Sequence, residues 1–261
     1  MPPWASLRAA RGVSAASDGK GASVTQELRL RILSAIVLAV LAIGSTWLGG
    51  GVFAAVWGAL ALLVTQEWMA IIRGKAGFAG WGLAGIAYAT ALYFSVLVLR
   101  IGGQGEGSAY LGLVAILFLF AVVWAADVFA YFAGRTFGGP KLAPRISPNK
   151  TWSGFLGGIS GGMLAGYAVV AIALPGQAGF YQVALALALS LASIAGDLFE
   201  SAFKRRFGVK DSGRLIPGHG GFMDRLDGFI FAAALAAAIG IARGGSDEAA
   251  RGLLLLGSVA P

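Results

Sequence analysis

Residues 109–134 read AYLGLVAILFLFAVVWAADVFAYFAG, a run in which Asp127 is the one charged side chain. A helix needs about 20 mostly apolar residues to cross the hydrocarbon core of a bilayer, so this run predicts a transmembrane helix. The whole chain agrees, because 57% of its 261 residues are hydrophobic and 12% are charged. Soluble domains carry roughly twice that charged share. The composition predicts an all-α, polytopic integral membrane protein that has the lipid bilayer as its solvent.

Further apolar runs of spanning length cover residues 32–48, 52–72, 77–99, 154–174, 179–203 and 226–242. With the first run they predict a bundle of seven transmembrane helices. No A-x-A-like cleavage site follows residues 32–48, which favours a membrane helix over a signal peptide. A last apolar stretch, residues 253–260, is too short to cross. We predict a disordered cytoplasmic tail at 1–31 and a single membrane-embedded domain at 32–261.

Basic residues give the orientation of these helices. An N-terminus on the cytoplasmic side makes segments 1–31, 73–76, 135–153 and 204–225 cytoplasmic, and they hold 17 of the 20 basic residues. Such an asymmetry is typical of cytoplasmic loops. The net charge of +8 is therefore a topology signal and does not indicate nucleic-acid binding. The chain has no cysteine, which excludes disulfides, thiolate catalysis and cysteine metal sites.

Several acidic residues fall within predicted helices or at their cytoplasmic ends: Asp127, Asp197, Glu200, Asp224 and Asp227. An ionisable side chain in a membrane helix is costly, so each is a functional hypothesis. The last four form two pairs spaced i, i+3, which puts both members of each pair on one helix face. Carboxylate oxygens suit Mg²⁺, so the pattern predicts a magnesium site. The competing interpretation is structural pairing with neighbouring Lys and Arg.

Two glycine- and cation-containing segments flank these acids. The segment after the predicted sixth helix contains Lys204, Arg205, Lys210 and the run Pro-Gly-His-Gly-Gly at 217–221. Successive backbone N–H groups in such a run can form an anion nest, and the following helix N-terminus also favours anions. The segment after the fourth helix adds Lys150. A polyphosphate with Mg²⁺ fits this combination.

Other residues are open to more than one interpretation. His219, the single histidine, is flanked by glycines and is interpreted as a substrate contact. Arg145 and Lys150 are either phosphate contacts or topology determinants, and Trp152 is typical of a membrane-interface anchor. Glu67, near the end of the second helix, is given a structural or helix-end role. The chain has no GxxxxGK[ST], GxGxxG or HExxH motif.

The segment from Ser201 to Asp227 resembles the signature of the phosphatidate cytidylyltransferase family, also called CDP-diacylglycerol synthase. The matching residues are Ser201, Lys204-Arg205, Lys210-Asp211, Pro217-Gly218-His219-Gly220-Gly221 and Asp224-Arg225-Leu226-Asp227. Similar stretches upstream are Ser147-Pro148-Asn149-Lys150-Thr151-Trp152 and Gly196-Asp197-Leu198-Phe199-Glu200-Ser201. The resemblance covers about Leu28 to Gly240. Ser153 departs from it, and the chain is short between the third and fourth helices, so the family's helix count need not transfer.

The resemblance implies transfer of CMP from CTP to phosphatidate, giving CDP-diacylglycerol and pyrophosphate. It makes 32–261 a catalytic domain in a bacterial-type inner membrane, with its active site at the cytoplasmic face. The implied catalytic residues are Asp197, Asp224, Asp227, Lys210 and His219. The implied substrate-binding residues are Lys150, Ser201, Lys204, Arg205, Gly220, Gly221 and Arg225. Mg²⁺ is the expected cofactor, on Asp197 and Asp224 first, then Asp227 and Asp127, and a homodimer is expected.

Two other functions fit the residues. A CTP-dependent lipid kinase, such as a polyprenol kinase, or an ether-lipid cytidylyltransferase needs a similar metal and phosphate site. An ion-coupled transporter also places acids in membrane helices, but it predicts acids near the midplane and repeated halves. The acids here gather toward one face, and the halves show no repeat.

Overall fold

The computed structural model describes residues 29–103, 107–213, 215–216 and 220–256. Within these residues seven helices are long and apolar enough to span a membrane, as predicted. They are α1 (Arg29–Leu48), α2 (Gly50–Ile72), α3 (Phe78–Ile101), α4 (Ser108–Phe137), α5 (Trp152–Ala173), α6 (Phe180–Arg206) and α7 (Met223–Gly244).

Helix ends differ from the apolar runs by a few residues. The tail predicted as disordered at 1–31 is wrong for its last three residues, which form the start of α1, and residues 1–28 lie outside the described part. Helix α4 continues to Phe137, α6 continues to Arg206, and α7 already begins at Met223. Backbone hydrogen bonding does not stop where hydrophobicity does, so a helix can run on through polar residues at the interface.

A short antiparallel hairpin joins α4 to α5, where the sequence predicted a loop. Strands β1 (Lys141–Ala143) and β2 (Ser147–Thr151) pair with Lys141 opposite Thr151. The Ile146 amide donates to the Ala143 carbonyl at 3.1 Å and closes the turn. Thr151 then caps α5, because its Oγ1 accepts from the Gly154 amide at 3.1 Å. The hairpin has no apolar alternation, which is why the sequence did not reveal it.

Glycines on α5 let it approach the backbone of α4. A Cβ atom on Gly154 would lie 2.9 Å from the Ala130 carbonyl oxygen, and one on Gly158 would lie 2.9 Å from that of Ala126. The hydrophobic effect does not drive helices together inside lipid, so membrane helices associate in part through such close backbone packing. The α4–α5 pair thereby becomes a rigid support for the hairpin between them.

Helices α6 and α7 cross equally closely at a second pair of glycines. A Cβ on Gly196 would lie 2.5 Å from the Asp227 carbonyl oxygen, and one on Gly228 would lie 2.5 Å from Ser193 Oγ. This crossing sets the acidic face of α6 directly beside the acidic first turns of α7.

The hairpin and the α6–α7 loop, residues 207–222, lie at the same end of the bundle. At this end Lys150 of the hairpin pairs with Asp197 of α6, and Glu67 of α2 accepts from the Phe222 amide of the loop. We call this the basic end, since most basic residues belong to its segments. The predicted alternation of segments between two ends is thus present in the fold.

The opposite end is closed by the C-terminal segment. After a 3₁₀ turn, the short helix α8 (Ala249–Leu254) packs back into the bundle with Leu253 and Leu254 fully buried. The Arg243 guanidinium donates to the carbonyls of Gly252 at 2.7 Å and Leu255 at 2.8 Å. The apolar stretch that was too short to cross begins in this plug, and its residues 257–260 lie outside the described part.

Arg100 joins three helices at the same end. Its Nε donates to the Thr46 carbonyl of α1 at 2.8 Å, and its Nη1 donates to the Ala109 carbonyl of α4 at 3.3 Å. Gly49 adopts a left-handed φ of 65°, and a Cβ there would lie 2.5 Å from Arg100 Nη2. Carbonyls at helix ends thus satisfy a buried cation that the sequence placed outside.

Candidate active site

A cavity of about 1040 Å³ lies between α1, α2, α4 and α7. Its walls are mainly aliphatic and aromatic side chains, including Leu63, Val123 and Phe229. Helix α1 is only 11% buried, so it covers the cavity without being packed firmly into the bundle. The polar groups on the cavity wall include Asp127, Asp224, Arg225 and Asp227. An apolar chamber therefore meets the predicted acidic site.

Asp197 of α6 is paired with Lys150 of the hairpin. The Lys150 ammonium makes a hydrogen-bonded ion pair with Asp197 Oδ2, and both side chains are partly exposed. Ser201 Oγ, one turn along α6, donates to Asp197 Oδ1 at 3.4 Å. Strand β2 carries Lys150 across 47 residues of sequence to this carboxylate, so the predicted residues Lys150, Asp197 and Ser201 do come together.

Lys204 bridges two further carboxylates. Its ammonium lies 2.7 Å from Glu200 Oε2 and 2.6 Å from Asp224 Oδ1. The side chains of Lys204, Glu200 and Asp224 are 12%, 1% and 8% exposed. The second oxygen of Glu200, Oε1, is buried and has no hydrogen-bond partner among the described residues. This triad links α6 to the start of α7 in a place that water scarcely reaches.

Asp224 also holds the α6–α7 loop. Its Oδ2 accepts from the amides of Gly221 and Ser212, both at 3.0 Å, while its Oδ1 accepts from the Lys204 ammonium. Gly220 has a φ of +84°, and a Cβ there would lie 2.9 Å from Asp224 Oδ2. The glycines predicted as phosphate contacts therefore also allow the backbone to approach this carboxylate.

Glu67 reaches the same loop from α2. Its Oε1 accepts from the Phe222 amide at 3.0 Å, and its Oε2 accepts from the Met223 amide at 2.8 Å and from Ser212 Oγ at 3.1 Å. The first N–H groups of a helix lack intrahelical acceptors and favour an anion. Glu67 thus supplies a helix-end role, as predicted, but for α7 and not for its own helix.

Asp127 and Asp227 complete the acidic cluster. Asp227 accepts from the Gly228 amide at 2.7 Å and lies within electrostatic range of Asp197, Glu200 and Asp127. Arg225 interacts electrostatically with Asp127. In the described part of this cluster, five carboxylates (Asp127, Asp197, Glu200, Asp224, Asp227) face three cations (Lys150, Lys204, Arg225). The carboxylates of this cluster thus outnumber its lysine and arginine side chains.

The remaining predicted residues lie at the rim or outside the described residues. Arg205 is exposed, and its Nη1 donates to the Val209 carbonyl at 3.4 Å. Lys210 is exposed as well. His219 lies outside the described residues. The structure therefore does not bring Arg205 or Lys210 against the carboxylates.

No three Asp, Glu or His side chains of the described residues form a ready cage for a metal ion. Mg²⁺ does not require one, since it often uses one or two carboxylates together with substrate phosphates. Asp197 and Asp224 each carry a lysine ammonium on a carboxylate oxygen. The excess of carboxylates, and Glu200 Oε1, which has no hydrogen-bond partner among the described residues, fit an additional cation at this cluster.

Sequence reasoning missed the roles of Glu67 and Ser212 in holding the loop. The contact between Ser212 Oγ and Glu67 Oε2 has no local signal, because the two positions are 145 residues apart in sequence. The Glu200–Lys204 pair, in contrast, is visible as an i, i+4 spacing.

Comparison with known proteins agrees with this site. A sequence profile of the Cytidylyltransferase family matches residues 84–241. A phosphatidate cytidylyltransferase of Brucella abortus is 41% identical over 254 aligned positions, covering 80% of this chain and 91% of that protein. Phosphatidate cytidylyltransferases of Haemophilus influenzae and Staphylococcus aureus are 42% and 47% identical, covering 54% and 46% of this chain and 51% and 46% of those proteins. The chain belongs to the cytidylyltransferase family.

Proposed function

We propose that the protein transfers CMP from CTP to phosphatidate at the basic end of the bundle. A phosphate oxygen of phosphatidate forms a bond to the α-phosphorus of CTP. The bond from that phosphorus to the α–β bridging oxygen breaks, and pyrophosphate leaves with its electron pair. The products are CDP-diacylglycerol and pyrophosphate. The observation that carries this assignment is the meeting of an apolar chamber with a paired carboxylate–lysine cluster.

The apolar chamber fits the lipid substrate. A volume of about 1040 Å³ walled by apolar side chains suits acyl chains. Such chains are stable in apolar surroundings, so their transfer from the bilayer into the chamber costs little free energy. The phosphate of the same lipid then lies where Asp224 and Asp227 line the chamber, close to Lys204 and Arg225. The loose covering by α1 leaves a route from the bilayer into the chamber.

The chain's own residues supply positioning and charge neutralisation. The lipid phosphate is already an anion near neutral pH, so the reaction needs little general-base assistance. Lys150, Lys204 and Arg225 are proposed to neutralise phosphate oxygens at the carboxylate cluster, and Arg205, Lys210 and His219 are proposed as contacts of the CTP triphosphate. Preorganised cations of this kind stabilise the charge that develops during phosphoryl and nucleotidyl transfer. The amides of Gly220 and Gly221 are proposed as further phosphate contacts.

Mg²⁺ is proposed as the cofactor. Asp197 and Asp224 would hold it, with Asp227 and Asp127 as second choices, and the excess of carboxylates in the cluster supports this assignment. When bound, the ion supplies Lewis-acid neutralisation of phosphate charge. The lysines on Asp197 and Asp224 are then available to substrate phosphates.

The orientation follows from the basic residues. We propose that the basic end faces the cytoplasm, where CTP is available, and that the protein resides in a bacterial-type inner membrane. A homodimer is proposed from the glycine-rich helices and the family resemblance.

One assay tests the assignment. Purified protein receives labelled CTP, Mg²⁺ and either phosphatidate or a polyprenol. CDP-lipid with pyrophosphate supports the proposal, whereas phosphorylated lipid with CDP identifies a lipid kinase instead. The folded variant Asp224→Asn should lose turnover, and wild-type turnover in that variant would remove Asp224 from the site.

A further inference from the structure

Glu67 stands apart from the proposed substrate contacts and is 3% exposed. It lies on α2, well before the segment that carries the other acids in sequence. A buried carboxylate is costly unless hydrogen bonds or charges compensate it. The hydrogen bonds that offset the burial of the Glu67 carboxylate therefore show which groups this residue positions.

Both oxygens of Glu67 are used on the α6–α7 loop and the start of α7. The acceptors serve two successive amides, those of Phe222 and Met223, and the hydroxyl of Ser212. Hydrogen bonds to a charged group are roughly twice as strong as neutral ones. One side chain of α2 thus fixes the entry into α7 and Ser212 of the loop together.

The loop backbone lies directly against this carboxylate. A Cβ on Gly213 would lie 2.5 Å from Glu67 Oε1, and one on Gly221 would lie 2.5 Å from Oε2 and 2.0 Å from Ser212 Oγ. A side chain at either position would push the loop off Glu67. The approach of Glu67 therefore explains glycine at 213, and it adds a second explanation to the proposed phosphate contact at 221.

Asp224 grips the same loop from the other side. It accepts from the Ser212 amide and the Gly221 amide, each at 3.0 Å, while Lys204 holds its other oxygen at 2.6 Å. The loop is thus held at Ser212 and at its residues 221–222 between Glu67 and Asp224. If Glu67 releases its side of the clamp, Asp224 and Lys204 lose the frame that orients them.

We propose that Glu67 is a positioning residue for nucleotidyl transfer. Its carboxylate fixes Ser212 of the loop and the start of α7, and so sets the placement of Asp224 and Lys204 at the phosphates. This inference rests on the proposed function of the site, because positioning matters only if those residues meet substrate.

The test uses Glu67→Gln in the full-length protein in lipid nanodiscs. An amide in place of the carboxylate presents an N–H₂ group either to the Phe222 amide or to the Met223 amide, so one of them loses its acceptor. We expect hydrogen exchange at residues 211–213 and 220–224 to rise about tenfold, with α4 and α5 unchanged. We expect kcat to fall about 10- to 100-fold, since small misplacements of reacting groups have effects of that size. The KM for phosphatidate should stay as in the wild type.

Two further variants sharpen the result. Gln66→Ala changes the exposed neighbour of Glu67 on the same helix and should leave exchange and turnover unchanged. Glu67→Asp keeps the charge with a shorter reach and should recover part of the lost kcat. If Glu67→Gln does not fold, Glu67→Asp and Ser212→Ala decide, and both should show the same local pattern to a smaller degree.

Several outcomes would overturn the proposal. Wild-type exchange and kcat in Glu67→Gln would do so, as would a uniform rise of exchange across all helices with normal kcat per folded molecule. If Glu67→Gln fails to fold, wild-type behaviour of both Glu67→Asp and Ser212→Ala would do so too. Failure of the wild type to form CDP-lipid would instead refute the proposed function, and the exchange data remain independent of it.

Discussion

Replacing Lys204 with Met tests the buried ion triad. The change keeps most of the aliphatic stem and removes the ammonium that lies 2.7 Å from Glu200 and 2.6 Å from Asp224. Two carboxylates that are 1% and 8% exposed then face each other without the cation between them. The free energy of unfolding should therefore fall.

The expected loss follows from what each carboxylate keeps. Removing one partner of a buried ion pair typically costs about 3–5 kcal/mol. Asp224 retains the amides of Ser212 and Gly221, whereas Glu200 has no partner at Oε1 among the described residues and loses the ammonium at Oε2. Glu200 should carry most of the penalty. Adding Glu200→Gln to Lys204→Met should therefore recover about 1–3 kcal/mol, the usual range of coupling between contacting residues.

The assay is equilibrium unfolding in mixed micelles, followed by two independent probes. Arg251→Met is the matched control, because Arg251 Nε pairs with Glu248 Oε2 at 3.2 Å in a pair whose side chains are 43% and 26% exposed. Exposed pairs contribute about 0–1 kcal/mol. The reasoning fails if Lys204→Met is as mild as Arg251→Met, or if Glu200→Gln adds a further loss in the double variant.

Two other substitutions test the chamber and the closed end. Leu63→Trp fills part of the apolar cavity and should raise the KM for long-chain phosphatidate more than the KM for a short-chain analogue. Leu62→Trp, on the exposed side of α2, should leave both KM values unchanged. Equal effects of the two variants would argue against an acyl-chain chamber. Arg243→Met removes donors to the Gly252 and Leu255 carbonyls and should cost about 1–3 kcal/mol of stability in a thermal unfolding series, with the KM for CTP unchanged because the residue lies at the end opposite the site. A normal unfolding midpoint would show that α8 is not held by Arg243.

The helices could be predicted because the bilayer imposes a length and a composition on each of them. Their ends were predicted less well, since α6 keeps its hydrogen bonding through Lys204, Arg205 and Arg206 after hydrophobicity has fallen. The hairpin was missed because its strands are three and five residues long, and Pro148 lies in the second. Strand pairing there depends on the turn and on the cap of α5, which no periodicity reports.

The site could be predicted in part because burying an ionisable side chain in a membrane helix costs free energy, and residues that bear this cost are usually functional. Acids in membrane helices pointed to Asp127, Asp197, Asp224 and Asp227, and the fold places three of them around one cavity. The pairing of Lys150 with Asp197 could not be read from spacing, because it depends on where the hairpin lies. Glu67 was assigned a helix-end role, but its partner helix depends on the packing of α2 against the loop.

The glycines of α5 and those of the α6–α7 region differ in the kind of atom that they approach. Those of α5, such as Gly158, approach the carbonyls of α4, so their function is helix packing. Gly213, Gly220 and Gly221 approach the carboxylate oxygens of Glu67 and Asp224 instead. Alanine in the first group would separate two helices and lower stability, whereas alanine in the second would displace charged groups of the site and act first on turnover. Composition alone cannot distinguish these groups, because the difference lies in the chemical nature of the atom 2–3 Å from the missing side chain.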